Sequence, residues 1–172
     1  TIRIGSSLTI GKTIVPAYVQ KIKEQYPEVK LSVMIHNTSV IERELEQGNL
    51  DFGFVEGQVL SSRIHAVPFG SDRLAAVCAA DYAIPEKVAL SELGSHNLLF
   101  REKGSASREL IDNIFSIHRL TVSPMMESVS NEAILAAAAA GLGIAILPEG
   151  LICSYLASDQ LKKIEIEGVN FG

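Results

Sequence analysis

The sequence predicts an α/β protein made of two lobes that are joined by two crossover segments. Strand-like and helix-like segments alternate along the 172 residues, and this alternation stops near residue 70 and then restarts. A strand–helix–strand order provides the long crossover connection that parallel strands require. We therefore expect parallel strands covered by helices in the first lobe, and a second group of α/β units after it.

The first lobe is predicted from alternating strands and from residues that begin or end helices. Apolar and polar residues alternate from Val29 to Ile35, which is typical of a strand. The segment SVIE matches a capping box in which Ser39 caps a helix, and Gly48 would close that helix. In chain order the lobe contains a strand ending at Gly5, a helix with apolar residues from Ile14 to Tyr26 and Pro16 in its first turn, the strand from Val29, the helix after Ser39, and the strand LDFGFV.

The second lobe begins after Pro68 with the same kind of pattern. Its Ala-rich helix is expected to be capped by Ser130 and closed by Gly141. In chain order its segments are the strand RLAAVCAA, a polar connection with a short helix, the strand LLFR, the helix SRELIDNIFSIH, the extended segment TVSPMMES, the helix SNEAILAAAAAG and the strand IAILP.

The last segment consists of a helix, PEGLICSYLASD, and a strand, LKKIEIEG, and is too short to fold alone. We expect it to join the first lobe, which then comprises residues 1–70 and 149–172, while the second lobe comprises residues 71–148. The chain would cross between the lobes twice. Two crossings form a hinge, and a hinge between two α/β lobes creates a cleft for a ligand.

Composition and charge argue against several classes of protein. Hydrophobic residues make up 47% and charged residues 20%, which indicates a folded globular chain. The net charge of -5 argues against binding a nucleic-acid backbone through bulk electrostatics. No apolar run reaches the roughly 18 residues that span a bilayer, so no membrane partner is expected. Cys78 and Cys153 lie in apolar surroundings, and we expect buried, reduced thiols and a cytoplasmic protein.

Three hydroxyl side chains follow the first strand. Ser6, Ser7 and Thr9 stand where a strand ends and a helix begins. The carboxyl ends of parallel strands and the exposed amides of a helix N-terminus both face this position, which suits an anion. One hydroxyl is needed to cap the helix, and pure capping is the alternative interpretation. Three hydroxyls in four positions exceed that need, so we favour ligand contact.

The segment FREKGSASRE repeats this junction in the second lobe. Phe100, Arg101 and Ser105 are candidate binding residues, because they follow a strand and precede a helix. Arg101 can offer a planar fork to a carboxylate. The alternative is that Arg101 pairs with Glu102, and for Arg108 we favour a surface position over ligand contact.

Two further junctions complete the candidate site. Ser128, Ser130 and Asn131 precede the Ala-rich helix; Ser130 is expected to cap it and the other two could face a ligand. Glu56 and Gly57 follow the strand LDFGFV, where a glycine lets the backbone approach a ligand closely.

No catalytic, metal-binding or cofactor-binding motif is found. The segment from Gly5 reads G-x-S-x-T and therefore misses the nucleophile elbow of hydrolases. The glycines of GLGIAILPEG close a helix instead of opening one, and no phosphate-binding P-loop is present. The four histidines are scattered without the spacing of metal ligands. We expect no enzyme, no cofactor and no metal.

Four segments together resemble the effector-binding domain of LysR-type transcriptional regulators over essentially the whole chain. The order and spacing of the four segments are more specific than any one of them. They are IRIGSSLTIGKTIVPAYVQKIKEQYPEVKLSV, LEQGNLDFGFVEG, LLFREKGSASRELID and SNEAILAAAAAGLGIAILPEGLI.

The resemblance implies two Rossmann-like lobes of the type 2 periplasmic-binding-protein kind, with a small effector bound in the cleft. It places effector contacts at the first strand–helix junction, at Glu56 and Gly57, and in the FREKGSAS loop, with the start of the Ala-rich helix close by. It also implies a homodimer or homotetramer that binds DNA through an N-terminal winged helix-turn-helix, which these 172 residues lack. The sequence departs from the family by ending at VNFG, before the usual last strand and helix.

The combined prediction is a regulatory domain that binds a small, anionic metabolite. The helix with Tyr18, Ile22 and Tyr26 is a candidate dimer surface, although the same apolar face could belong to the core. The alternative function is a solute-binding receptor of a transport system, which shares the two-lobe plan. An enzyme on this fold is a third possibility, but a clustered acid–base set is missing from the sequence.

Overall fold

The computed structural model describes residues 1–169 and residue 171, and these divide into two compact α/β units. Unit 1 comprises Thr1–Phe69 together with Gly104–Ala106. Unit 2 comprises Gly70–Lys103 and the chain from Ser107 onward. None of the helices in this part of the chain has both the length and the apolar character that a bilayer crossing requires.

Unit 1 is built on a three-stranded sheet with the order β2–β1–β3. Both strand pairs are parallel, as the alternation of strands and helices predicted. Pro16 lies in the first turn of a helix, also as predicted, because a missing N–H is tolerated there. The elements are β1 (Ile2–Ser6), α1 (Leu8–Thr13), α2 (Val15–Gln25), β2 (Leu31–Ile35), α3 (Thr38–Glu46) and β3 (Phe52–Phe54).

The register of this sheet brings its three carboxyl ends to one edge. Ser6, the last residue of β1, lies opposite both Ile35 of β2 and Phe54 of β3. Helix α3 covers the sheet with the fully buried Ile41. A Cβ on Gly5 would stand 2.8 Å from a methyl group of Ile41, so a glycine is needed where the helix meets the strand.

Helix α3 begins two residues earlier than the sequence predicted. The capping residue is Asn37, whose Oδ1 accepts a hydrogen bond from the backbone N–H of Val40 at 3.1 Å. Ser39, the predicted cap, instead lies inside the helix and its Oγ donates to Asn37 Oδ1 at 3.1 Å. The prediction was wrong because Asn37, Thr38 and Ser39 are all capable caps, and the helix begins directly after the first of them.

Unit 2 is built on a six-stranded mixed sheet with the order β5–β9–β4–β8–β6–β7. Strand β4 is antiparallel to β8 and β9, while β6 is parallel to β7 and β8. A 3₁₀ helix, Leu90–Ser95, follows β5. The other elements are β4 (Leu74–Ala79), β5 (Lys87–Ala89), β6 (Leu98–Arg101), α4 (Ala106–Ile117), β7 (Met126–Ser128), α5 (Asn131–Ala139), β8 (Ile144–Pro148), α6 (Glu149–Ala157) and β9 (Leu161–Glu167).

Both faces of this sheet are buried, because successive side chains of a strand point to opposite sides. In β4, Ala76 and Cys78 join one apolar cluster, which also contains Phe115 of α4. Val77 of the same strand joins the other cluster, which contains Ile134 of α5. Unit 2 therefore has a sheet with a separate apolar core on each side.

The prediction that residues 149–172 join the first lobe is corrected for α6 and β9. Strand β9 pairs with β4 over four residues and with β5 over three, so it is an interior strand of the unit 2 sheet. Its apolar residues Leu161, Ile164 and Ile166 are buried in the two unit 2 cores. The antiparallel partner of β9 lies more than 80 residues earlier, and periodicity carries no information about such a distant pairing.

The two cysteines differ in environment. Cys78 is buried, as predicted, and burial raises the pKa of its thiol, an effect that Lys162 partly opposes. Cys153 of α6 is exposed, which corrects the prediction, because it stands on the outer face of a helix whose buried residues are Leu151 and Ile152.

Candidate functional site

The carboxyl edge of the unit 1 sheet carries the buried hydroxyls that the sequence predicted. Ser6, Ser7 and Thr9 are all buried. Ser6 Oγ donates to the Ser7 carbonyl oxygen at 3.1 Å, and the Ser7 N–H donates to the carbonyl oxygen of Phe54 at 2.9 Å. The backbone at this junction is therefore fixed by the ends of β1 and β3.

Ser7 Oγ has no hydrogen-bond partner within the described residues, although the side chain is only 2% exposed. Ser7 occupies the N-cap position of α1 with an extended backbone, but its side chain does not cap the helix. A buried hydroxyl without a partner is uncommon and costs about 1–3 kcal/mol. The side chain of Ser7 therefore does not cap α1, and ligand contact remains the prediction for this residue.

A second polar junction lies at the same edge, between β2 and α3, and the sequence analysis missed it as a site. Asn37 and Thr38 are both buried. Thr38 Oγ1 donates to the carbonyl oxygen of Glu56 at 3.5 Å, which connects this junction to the end of β3. The signal was present in the segment HNTSV, since the rule applied to Ser6 and Ser7 also holds for any polar residue after a parallel strand.

The segment after β3 and residues 104–106 complete the polar region of unit 1. Gly57 has a φ of 77°, and a Cβ there would stand 2.9 Å from the Cβ of Ala106, so a side chain would be strained and crowded. The carbonyl oxygen of Gly104 accepts a hydrogen bond from the Ser39 N–H at 3.2 Å. Ser105 is 4% exposed. Of the predicted site residues, unit 1 thus contains Ser6, Ser7, Thr9, Glu56, Gly57 and Ser105.

In unit 2, Arg101 does not provide the open fork that the sequence suggested. Its Nε and Nη2 donate to the two carboxylate oxygens of Glu102 at 2.8 and 3.1 Å, and its Nη1 donates to Asn131 Oδ1 at 2.9 Å. Arg101 is 3% exposed and Asn131 4%. The alternative interpretation, pairing with Glu102, is the one observed, because a buried guanidinium requires a partner.

Arg108 is also buried, which corrects the predicted surface position. Its Nε lies 2.9 Å from an oxygen of Asp112, and its Nη1 donates to Glu127 at 2.7 Å and to the carbonyl oxygen of Arg101 at 2.8 Å. Burial alone would lower the pKa of Arg108, but the hydrogen bonds to Glu127 and Asp112 outweigh it and raise the pKa. Arg108 therefore remains a charged centre that joins β6, α4 and β7.

The side chain of Phe100 is not placed for ligand contact. Its ring is fully buried, stands 6.5 Å from that of Phe115 and lies under the Arg108 guanidinium. Phe100 is therefore a core residue of unit 2, since residues along β6 face the two cores alternately.

The β7–α5 junction uses its polar side chains within the fold. Ser130 Oγ accepts the N–H of Ala133 at 3.1 Å, which confirms Ser130 as the cap of α5. Ser128 Oγ accepts the N–H of Ser130 at 3.0 Å, and Asn131 is bonded to Arg101. Within the residues that the structure describes, no three His, Cys, Asp or Glu side chains are grouped as a metal ion would require.

The family model described as the LysR substrate binding domain matches residues 1–171 of this chain. The chain belongs to this family. The two α/β units agree with its two-lobe, periplasmic-binding-protein-like fold, and the resemblance of the four sequence segments is confirmed.

Curated relatives of this LysR substrate binding domain are transcriptional regulators. The HTH-type transcriptional regulator CysL of Bacillus subtilis (strain 168) is 26% identical, and the match covers 96% of this chain and 56% of that protein. The HTH-type transcriptional activator CmpR of Synechocystis sp. is 29% identical, with coverage of 95% and 54%. The chain thus spans about half the length of these relatives.

Solved structures of effector-binding domains show the same fold as this LysR domain. The CcmR regulatory domain of Synechocystis PCC6803, in complex with 2-PG, is 25% identical with a TM-score of 0.82, covering 96% of this chain and 80% of that chain. The effector binding domain of QuiR, in complex with shikimate, is 21% identical with a TM-score of 0.80, covering 98% and 81%. Those domains bind small molecules.

Proposed function

We propose that this LysR domain binds a small effector at the carboxyl edge of the unit 1 sheet and thereby controls a transcriptional regulator. The observation that carries this proposal is the buried, unpartnered Ser7 Oγ beside the buried Thr9. An effector atom that bonds Ser7 Oγ would satisfy a hydroxyl that the fold leaves unpaired. The CcmR regulatory domain, with its 2-PG complex, supports effector binding by this fold.

The proposed effector is anionic. Ser7 Oγ and Thr9 Oγ1 can both donate a hydrogen bond, and α1 begins at the same edge. Glu56 is half-buried nearby and its carbonyl oxygen is bonded by Thr38, so Glu56 would suit a hydroxyl or amine on the same effector. Arg101 of unit 2 is not assigned a ligand contact in this proposal, since its guanidinium is bonded to Glu102 and Asn131.

The whole protein would bind DNA through a winged helix-turn-helix outside these 172 residues. Its location would be the cytoplasm. Such regulators act by shifting a conformational equilibrium, and an effector can shift it only by its differential affinity for the two states. Coupling of this kind is typically about 1–3 kcal/mol. The relatives are regulators and not enzymes, which supports a domain without catalytic activity.

The proposed homodimer uses the outer face of α2. Tyr18 and Tyr26 are 54% and 60% exposed and Ile22 is half-buried, while only Val15 of this helix is fully buried, so the two tyrosines are available at the surface. Exposed tyrosines are typical of interface residues. We expect the variant Tyr18→Glu/Tyr26→Glu to shift the mass measured by light scattering to that of a monomer. A mass unchanged from the wild type would refute this surface.

The effector proposal is tested by calorimetry with a panel of small carboxylates, phosphates and sulfate. For any ligand that the wild type binds, we expect Ser7→Ala to weaken binding by about tenfold or more, because a buried hydrogen bond to an anion is lost. Ser158→Ala is the matched control, since that hydroxyl bonds only backbone carbonyls at the end of α6 in unit 2 and a nearby side chain. An affinity that Ser7→Ala leaves unchanged would disprove this site.

A further inference from the structure

Unit 2 contains a cavity that the effector proposal does not use. It is open to solvent on one side, and its volume of about 440 Å³ lies in the size range of small-molecule sites in proteins. One wall is formed by residues of α4, another by the segment 119–122, and Lys103 completes the lining. We refer to this space as the α4 cavity.

The lining combines an apolar floor with unbalanced positive charge. Phe115 is buried at the floor, and the partly buried Leu120 and Val122 pack against the same core. Three cations line the α4 cavity, but Arg108 is already paired with Asp112 at 2.9 and 3.0 Å and with Glu127 at 2.7 Å. The unpaired positive charge of the lining therefore comes from the other two cations.

The two remaining cations of the lining, Lys103 and Arg119, are exposed. Neither side chain forms an ion pair with any residue that the structure describes. Ser116 and Thr121 add two hydroxyls to the lining. In a chain with a net charge of -5, this is a local concentration of positive charge and hydrogen-bond donors.

The backbone of Arg119 shows that this arginine occupies an unfavourable position. Arg119 has a φ of 56° and follows α4. The N–H of Leu120 bonds the carbonyl oxygen of Phe115, and the N–H of Arg119 bonds that of Ser116, which together define a Schellman motif. The left-handed position of this motif normally holds glycine, because other residues are strained there.

The other Schellman motifs of the chain follow that preference. Gly48 ends α3 and Gly141 ends α5, both with positive φ. Asp159 ends α6 with a φ of 54°, and aspartate is among the residues that tolerate this conformation. Arg119 alone among these four has a long side chain without that tolerance, and its side chain lines the cavity.

We propose that the α4 cavity is a second ligand site, which binds a small organic anion. The anionic group is bound by Lys103 and Arg119, and the apolar part of the ligand lies against Leu120 and Val122. The cost of an arginine in the left-handed conformation is then explained by the charge that it brings to the cavity.

The experiment is an NMR titration of the 172-residue chain with phenyl phosphate, which has one anionic group and one apolar ring. We expect the largest amide shifts in residues 119–122, with saturation below about 10 mM. Arg119→Gly should weaken binding by about tenfold or more, because a charge-assisted bond is lost, and Lys103→Gln should weaken it in the same direction. Arg119→Gly should also keep or raise the melting temperature, since glycine suits the conformation.

The matched control is Asp159→Gly, which makes the same backbone change at the end of α6 and should bind phenyl phosphate as the wild type does. Ser7→Ala should also leave this binding unchanged, because Ser7 belongs to the other proposed site. The proposal is wrong if residues 119–122 do not shift up to about 10 mM ligand. It is also wrong if folded Arg119→Gly and Lys103→Gln bind as tightly as the wild type, or if Ser7→Ala alone abolishes binding.

Discussion

At the β1–α1 junction of unit 1, Ser7 Oγ is buried and has no partner, whereas the buried side chains of Arg101 and Arg108 in unit 2 are bonded to other side chains. Both regions have polar side chains between the end of a strand and the start of a helix. In unit 1 the fold leaves a donor unused, and in unit 2 Arg101 and Arg108 are occupied by carboxylates and an amide. A position at a strand end is therefore insufficient evidence for ligand contact. Whether a polar side chain is free to bind a ligand depends on the hydrogen bonds that it already forms within the fold.

The largest expected effect tests the hydrogen-bond network of Arg101, Glu102 and Asn131 in unit 2. Arg101→Met should lower the free energy of unfolding by about 3 kcal/mol, because it leaves Glu102 nearly buried and without its cation, and Asn131 Oδ1 without a donor. Urea denaturation followed by circular dichroism measures this loss. Arg43→Met is the matched control, since its guanidinium is exposed and lies 3.5 Å from Glu44, so this pair should contribute little. A loss for Arg101→Met as small as that of the control would contradict the network.

The next effect sharpens the comparison within unit 1, where one junction residue caps a helix and another does not. Asn37→Ala should destabilise the protein by about 1 kcal/mol, because the N–H of Val40 loses its acceptor. Ser39→Ala should cost clearly less, since Ser39 Oγ only donates to Asn37. Thermal unfolding of both variants checks this order, and the reverse order would restore Ser39 as the cap.

A smaller effect of opposite sign on the free energy of unfolding is expected at Ser7, whose hydroxyl has no partner. Ser7→Ala should leave the ligand-free protein as stable as the wild type or more stable by about 0.5 kcal/mol, because it removes a buried group without a partner. Together with weaker effector binding, this result would show that Ser7 is retained for function and not for stability. A loss of stability in urea denaturation would instead show that Ser7 Oγ is bonded within the fold.

The smallest effect concerns an exposed pair in unit 1, in contrast to the buried pair of unit 2. Hydrogen bonds from the Arg3 side chain and N–H hold the pKa of Asp51 at about 2, below its ordinary 3.8. The stabilisation is therefore present above the ordinary value and is lost as the pH falls from about 4 to about 2. The melting-temperature difference between the wild type and Asp51→Asn should shrink as the pH falls over this range. The difference between the wild type and Arg3→Met should shrink in the same way. A pH-independent difference would refute the pair.

Much of the fold could be predicted from local patterns. The parallel strands of unit 1 and the cap of α5 by Ser130 followed from alternation and from the residue types at helix ends. These features depend on neighbours within a few residues. The position of β9 depends on a pairing with β4 across most of unit 2, and no local pattern contains it.

The candidate site was predictable only in part, for a related reason. Sequence position located Ser7 and Arg101 equally well at strand ends, but it could not show that Arg101 is bonded to Asn131, 30 residues later, while Ser7 Oγ lacks a partner. The sequence favoured a surface position for Arg108 because nothing near it in the chain indicates its partner Glu127, which lies on β7. Whether a polar group already has a partner depends on the tertiary structure, so the sequence could not show which of these side chains are bonded within the fold.

The difference in exposure between Cys78 and Cys153 allows one thiol to be labelled selectively. Cys153 is exposed on α6, while Cys78 is buried in the unit 2 core and burial raises the pKa of its thiol. Because thiolates are the reactive form, a maleimide dye will label the native chain at Cys153 and reach Cys78 only after the core opens. A fluorophore can thus be attached to unit 2 without introducing a new cysteine. The rate at which Cys78 is then labelled reports how often the unit 2 core opens.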